Sequence, residues 1–166
     1  MITKTVEDFA KRIVTRRSID TGFTVRDYRT DDFAKLSNLW SLTDQAPNYR
    51  ADDARTIRRS IRLGGKLLVM VENETKKICG SVWMTFDGRR IHLHHLGILP
   101  EYQGRGLSKT LLKKALEFVK TKGCQVKIEV HQANYKAINL YKKAGFSYLG
   151  DYDVYIIRDL NKIVDL

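Results

Sequence analysis

The sequence predicts an α/β domain: a mixed, mostly antiparallel central sheet of about seven strands, flanked by about four helices and preceded by an extra N-terminal helix. Three observations carry this expectation. Strand-like runs at 66–71, 78–86 and 90–98 are joined by Asn73-Glu74 and by Asp87-Gly88, the second a tight hairpin signal, so these three strands are antiparallel neighbours. The third run leads through Pro100 into a loop with two glycines and then a helical pattern from Ser108. A further strand, with Val126, Ile128 and Val130 alternating, is followed by a second helix that Gly145 closes.

Element by element, Val6, Phe9, Ala10, Ile13 and Val14 share one helical face and predict an amphipathic helix over residues 5–17. Phe23, Val25 and Tyr28 mark a first strand. Thr30 can cap a helix that turns Phe33, Leu36, Leu39 and Trp40 inward. Asp52 or Asp53 can open the next helix, through Ile57 and Ile61, with Gly64-Gly65 as its stop. After the three-strand meander come the helix from Ser108 through Leu116, the strand through Val130, and a helix with Ala137, Ile138, Leu140, Tyr141 and Ala144 at helical spacing. Two short strands joined by Gly150-Asp151 are expected between Phe146 and Arg158.

A chain of 166 residues fits one domain with a core that needs no staples: an extension over 1–22 and a globular unit over 23–166. Cys79 and Cys124 lie far apart and form neither a disulfide framework nor a metal spacing, so both read as buried structural thiols. No apolar run reaches membrane-spanning length and Met1-Ile2-Thr3-Lys4 does not begin a signal peptide, which predicts a cytoplasmic protein with no membrane partner. The net charge of +11 fits either a solvated basic surface that attracts phosphate groups or an acidic macromolecular partner. Pairs such as Arg16-Arg17, Arg58-Arg59, Lys113-Lys114 and Lys142-Lys143 are dispersed, mostly on helices, without an aromatic–basic motif. The solvated surface is the preferred reading and nucleic acid is not expected. A monomer and a homodimer both remain open.

The stretch from Leu96 to Ser108 is the most informative. Glycine lets backbone approach a ligand closely, and the first turn of a helix offers unpaired N–H groups at the positive end of its dipole. Together they make a phosphate site. The loop Gln103-Gly104-Arg105-Gly106-Leu107-Ser108 is neither a Walker loop, since no Gly-Lys-Ser/Thr follows, nor a dinucleotide loop, since Lys109 stands where the third glycine belongs.

This loop, with Asn134 and the helix end from Leu140-Tyr141 to Gly145-Phe146, resembles the GNAT superfamily of acetyl-CoA-dependent N-acetyltransferases, and the element order from Phe23 to Arg158 fits as well. One departure is Ser108, where the family usually has Gly or Ala; serine is small and keeps its N–H. The resemblance implies the GNAT fold, acetyl-CoA as co-substrate, and direct acetyl transfer to an amine without an acyl-enzyme. It implies that residues 103–108, with Lys109, cradle the pyrophosphate, and that the backbone of Leu96, Gly97 and Ile98 docks the pantetheine arm where two strands splay apart. Gly97 in a strand fits a bulge or a packing accommodation equally.

The resemblance places Tyr141 as general acid to the departing thiolate, and a phenol with an ordinary pKa of about 10 is protonated at neutral pH. Asn134 corresponds to the family's pantetheine-amide ligand and can also cap the helix that follows. For the base, Glu129 has the spacing found in bacterial ribosomal-protein alanine N-acetyltransferases, His92 corresponds to the glutamate of histone-type members, and water or a prior equilibrium that supplies neutral amine is the third alternative. His92 and His94 share one strand face, and a neutral imidazole suits the task. His92, His94 and His95 lack a Cys or carboxylate companion nearby in sequence, so no metal is expected. A short Gly150-Asp151 turn favours an open acceptor cleft for a small amine, an amino acid or an exposed protein lysine or N-terminus, with Asp52, Asp53 and Tyr49 positioned to receive a cation. A second expectation from another class is a GNAT-shaped acyl-CoA sensor or accessory module without turnover.

Overall fold

The computed structural model describes residues 22–43, 52–150 and 153–163. The helix expected over 5–17 and Tyr49 lie outside these residues. Within them, one sheet runs in the order β1-β2-β3-β4-β5. Its strands are β1 (Phe23–Asp27), β2 (Lys66–Glu72), β3 (Ile78–Phe86), β4 (Arg90–Ile98) and β5 (Gln125–Ile128). The first four pair antiparallel, with Thr24 opposite Val71, Leu68 opposite Val82 and Thr85 opposite His92. β5 joins β4 in parallel, from Arg90 opposite Gln125 to Leu93 opposite Ile128.

Four α-helices accompany the sheet among the described residues: α1 (Phe33–Leu42), α2 (Ala54–Arg62), α3 (Leu107–Lys122) and α4 (Tyr135–Lys143). The parity of β3 sorts them onto two faces. Ser81 and Trp83 point to the α1/α2 side, where Trp40 Nε1 donates to Ser81 Oγ at 2.9 Å and Trp83 Nε1 donates to Ser60 Oγ at 2.8 Å. Gly80 points the other way: a Cβ there would collide with Ile98 and come within 3.5 Å of Leu111, so the close approach of β4 and α3 requires glycine. The core between these layers includes Leu36, Trp40, Ile57, Val69, Met84, Ile91, Leu111 and Ala115, all at most 2% exposed. Each such large apolar side chain contributes roughly 1.5–3 kcal/mol by leaving water. Cys79 belongs to this core, and burial pushes its thiol up to about 11.

Several boundaries follow the sequence closely. Asp53 caps α2 by accepting from Thr56 N at 2.6 Å, and Gly64, at φ +94°, follows its end. Asp87 and Gly88 form the hairpin turn, with Asp87 Oδ1 accepting from Arg89 N at 2.8 Å.

Other expectations are corrected. Thr30 does not cap α1; it starts a 3₁₀ turn, Thr30–Asp32. The buried carboxylate of Asp32 organises that turn, accepting from both guanidinium nitrogens of Arg26 at 2.6 and 2.8 Å and from Arg29 N at 2.8 Å. β5 stops at Ile128, leaving Glu129 and Val130 beyond it. The sheet has five strands rather than about seven: among the described residues, 146–150 and 153–158 contain no strand. Tyr148, Val154, Tyr155, Ile156 and Ile157 there are 58–90% exposed. Strand preference expresses how well a side chain packs on a pleated, half-buried surface, and these residues meet none.

Candidate active site

The site is built where β4 outruns β5. The last β4–β5 pair is Leu93 with Ile128, while β4 continues to Ile98 against β3. Residues 94–98 therefore extend past the parallel neighbour, and a gap opens between the two strands. Within this stretch the β3–β4 register shifts between Ser81 and Trp83. His95 and Leu96 together face the single residue Val82, a bulge, and His95 takes φ +49°. Gly97 pairs regularly with Ser81, so the bulge lies just before the glycine that suggested one.

Beyond β4, a 3₁₀ turn (Pro100–Tyr102) delivers the chain to the two-glycine loop. Gly104 and Gly106 have φ +78° and +80°, and a Cβ on either would meet no protein atom within 4 Å. Their exposed faces are thus free for a ligand to approach the backbone. Gly106 is the N-cap of α3 and makes no side-chain cap, so the first-turn amides of Leu107 and Ser108 point outward with the positive end of a 16-residue helix behind them. The neighbouring side chains shape the loop. Gln103 Nε2 donates to Ile98 O at 2.9 Å, Leu107 is buried at 4% exposure, and the Arg105 guanidinium lies 4.6 Å from the Phe23 ring centre. Ser108 is half-buried and Lys109 exposed.

After β5, Asn134 caps α4, accepting from Ala137 N at 3.1 Å. Tyr141 sits in the last turn of that helix, 8% exposed, with its ring 5.8 Å from that of Phe146. Burial pushes its hydroxyl up to about 12, so it stays protonated.

The two residues expected to compete as base are neighbours. His92 Nε2 lies 3.8 Å from Glu129 Oε1, and Lys127 Nζ lies 3.4 Å from the same oxygen. The Glu129 side chain is 54% exposed and that of His92 21%. Burial lowers the His92 pKa, the Glu129 charge opposes this and Lys127 adds to it. The His94 ring lies 4.0 Å from that of His92, tilted by 38°, and shares a hydrogen bond of 2.9 Å with Thr85 Oγ1. Burial first, then His92, pushes His94 down to about 3, leaving a neutral ring.

The sequence did not pair His95 with Asp52. His95 Nε2 is 2.9 Å from Asp52 Oδ2, its side chain is 2% exposed, and its ring stacks 4.2 Å from Trp40. The two residues are 43 apart in sequence, and only the bulge turns His95 toward this face. Among the described residues no group of three metal-ligating side chains converges. A separate cleft of about 470 Å³, lined by Tyr28, Arg29, Arg55, Arg58 and Arg62, lies at the far end of β1 from the glycine loop. It is therefore distinct from the β4–β5 gap. No helix among the described residues is long and apolar enough to cross a membrane.

Residues 31–146 match the model of the acetyltransferase (GNAT) family. An acetyltransferase of Trypanosoma brucei is 25% identical, with 83% of this chain and 99% of that one covered and a TM-score of 0.64. A protein of Salmonella typhimurium, solved with its cofactor acetyl-CoA, is 22% identical over 76% of this chain and 80% of its own, with a TM-score of 0.63. The ribosomal-protein-S18-alanine N-acetyltransferase of Escherichia coli is 20% identical, covering 75% and 77%, with a TM-score of 0.64.

Proposed function

The chain belongs to the GNAT acetyltransferase family, and on that premise we propose that it transfers acetyl from acetyl-CoA directly to a primary amine, with Tyr141 as general acid. The acceptor is a small molecule, an amino acid or an exposed protein lysine or N-terminus. The observation that carries the reading is the union of two features at one end of β4. A two-glycine loop opens onto the N-terminus of α3, and a strand gap begins at the last β4–β5 pair.

Acetyl-CoA, when bound, supplies an activated acyl group and a thiol leaving group. The amides of residues 103–108 take its pyrophosphate, and the fit rests on the open faces of Gly104 and Gly106 and the outward amides of α3. The backbone at Leu96, Gly97 and Ile98 borders the gap and positions the pantetheine arm, and Asn134 binds one of its amides. Tyr141, held protonated by burial, donates its proton to the leaving sulfur. Glu129 accepts the amine proton, and His92 at 3.8 Å shares that proton. A neutral imidazole beside a carboxylate is suited to deprotonating an ammonium near pH 7. Thiol release from acetyl-CoA with a panel of amines tests the function. Acetyl-CoA binding with no thiol release for any amine would favour the sensor reading instead.

A further inference from the structure

We propose that Asp52 and His95 form an amine-recognition pair: His95 Nδ1 accepts a hydrogen bond from the incoming primary ammonium or amine, and Asp52 fixes the ring that does so. The inference rests on the acetyl-transfer reading and names a binding residue for the acceptor.

Four observations converge. First, His95 Nδ1 is buried and has no hydrogen-bond partner, while Nε2 is engaged with Asp52 at 2.9 Å. A buried polar atom without a partner is costly, and among the described residues only the Tyr28 hydroxyl shares this condition. Second, the Asp52 contact selects the tautomer. A carboxylate accepts, so Nε2 carries the proton and Nδ1 the lone pair, which makes Nδ1 an acceptor suited to an N–H of an amine. Third, the ring cannot swing away. It stacks 4.2 Å from Trp40, is nearly parallel to Trp83 at 5.9 Å, and its own carbonyl accepts from Ser81 Oγ at 3.2 Å. Fourth, the backbone beneath it is strained, at φ +49° in a residue other than glycine, on the bulge where β4 has just lost its parallel neighbour.

The pair also stands in line with the proposed base. Along β4, the His92 ring lies tilted against His94, and Trp83 lies 5.9 Å from both His94 and His95. Two carboxylate–histidine pairs therefore bracket the neutral His94 ring, Glu129–His92 at one end and Asp52–His95 at the other. Protonated acceptors are favoured at the encounter stage by Asp52, whose side chain is 22% exposed.

The test compares wild type with His95→Asn and Asp52→Asn. Asparagine tolerates the left-handed backbone at 95, and the second change is isosteric, so thermal melting should confirm that both proteins fold. With butylamine, spermidine and lysine amide as acceptors, both variants should raise KM for the amine by roughly 10- to 100-fold, the loss expected for one charge-assisted hydrogen bond. Acetyl-CoA affinity and the pH profile of kcat should stay as in wild type. In parallel, amine titration of the wild-type protein should shift the His95 Nδ1 resonance in ¹⁵N NMR. Unchanged KM in folded variants that turn over overturns the amine-recognition pair and leaves acetyl transfer standing. A shifted His95 resonance without any thiol release supports the pair and removes acetyl transfer. An unshifted resonance at saturating amine overturns the pair.

Discussion

Gly106→Ala separates the strain of the loop from its use. Gly106 caps α3 at φ +80°, where an L-residue costs about 1–2 kcal/mol. No protein atom lies within 4 Å of an added Cβ, so stability loses only that strain. For a domain of this size about 1–2 kcal/mol lowers Tm by roughly 2–8 °C. Gly123 gives the matched control. It ends the same helix at φ +63°, also in open space, and lies about 24 Å away along the axis by the rise of a 16-residue helix. Gly106→Ala and Gly123→Ala should therefore melt alike. Acetyl-CoA affinity, measured by calorimetry, should fall about tenfold or more in Gly106→Ala alone, because there the methyl occupies the space through which a phosphate reaches the amides, and 1.4 kcal/mol is tenfold. Equal affinities in the two variants would refute the placement of the pyrophosphate.

Tyr141→Phe should keep acetyl-CoA affinity and slow turnover by roughly 10²–10⁴-fold, checked by steady-state kinetics where chemistry limits the rate; an unaltered kcat would leave Tyr141 a core residue. Glu129→Gln should depress kcat/KM near neutral pH and recover in part at high pH, where free amine is abundant. Because Glu129 touches His92, the double variant with His92→Ala should lose less than the sum of the singles, and strict additivity in the pH–rate profiles would break the pair. Asp32 governs acid stability. Burial raises its pKa, but the hydrogen bonds from Arg26 and Arg29 N outweigh this and hold it below the usual carboxylate value. Its contribution is thus full above about pH 4 and is lost as pH falls through the lower folded-state pKa. Asp32→Asn should cost about 2–3 kcal/mol in urea at pH 7 and flatten the acid limb, and an unchanged limb would place the acid sensitivity elsewhere.

The sequence was most legible where one residue type decides a local conformation. Asp53, Gly64 and Asp87-Gly88 each set a cap or turn through their own backbone or side chain, whereas within the meander only β4 alternates and β2 and β3 are buried along most of their length. It was least legible where a partner decides. Residues 154–157 have strand composition, but composition does not say whether an edge accepts them, and they are exposed. Thr30 looked like a cap because hydroxyls often are, yet Asp32 takes over once Arg26 is brought beside it by β1. At the site, the glycine loop could be read from spacing and Tyr141 was singled out by the family resemblance, whereas the contact between His92 and Glu129 needed the β4–β5 register.

His95 shows why parity alone misleads. Strict alternation puts it on the face opposite His94, but the bulge at Val82 adds one residue to β4 and brings both rings beside Trp83. The same bulge imposes a positive φ, which the chain meets with glycine at 64, 88, 104, 106, 123 and 145. Of the two non-glycine residues with positive φ among the described residues, Lys76 stands in an exposed turn, while His95 is buried. Glycine or asparagine would relieve the backbone at 95 and give up the Asp52 bond and the Trp40 stack. A strained, buried imidazole with an unpartnered nitrogen is thus a worse choice for stability at Nδ1 and a better one for binding. His95→Asn should then show modest change in melting temperature, since relief of strain offsets lost contacts, together with a large change in amine KM. A variant that melts far below wild type with unaltered KM would assign the ring to packing.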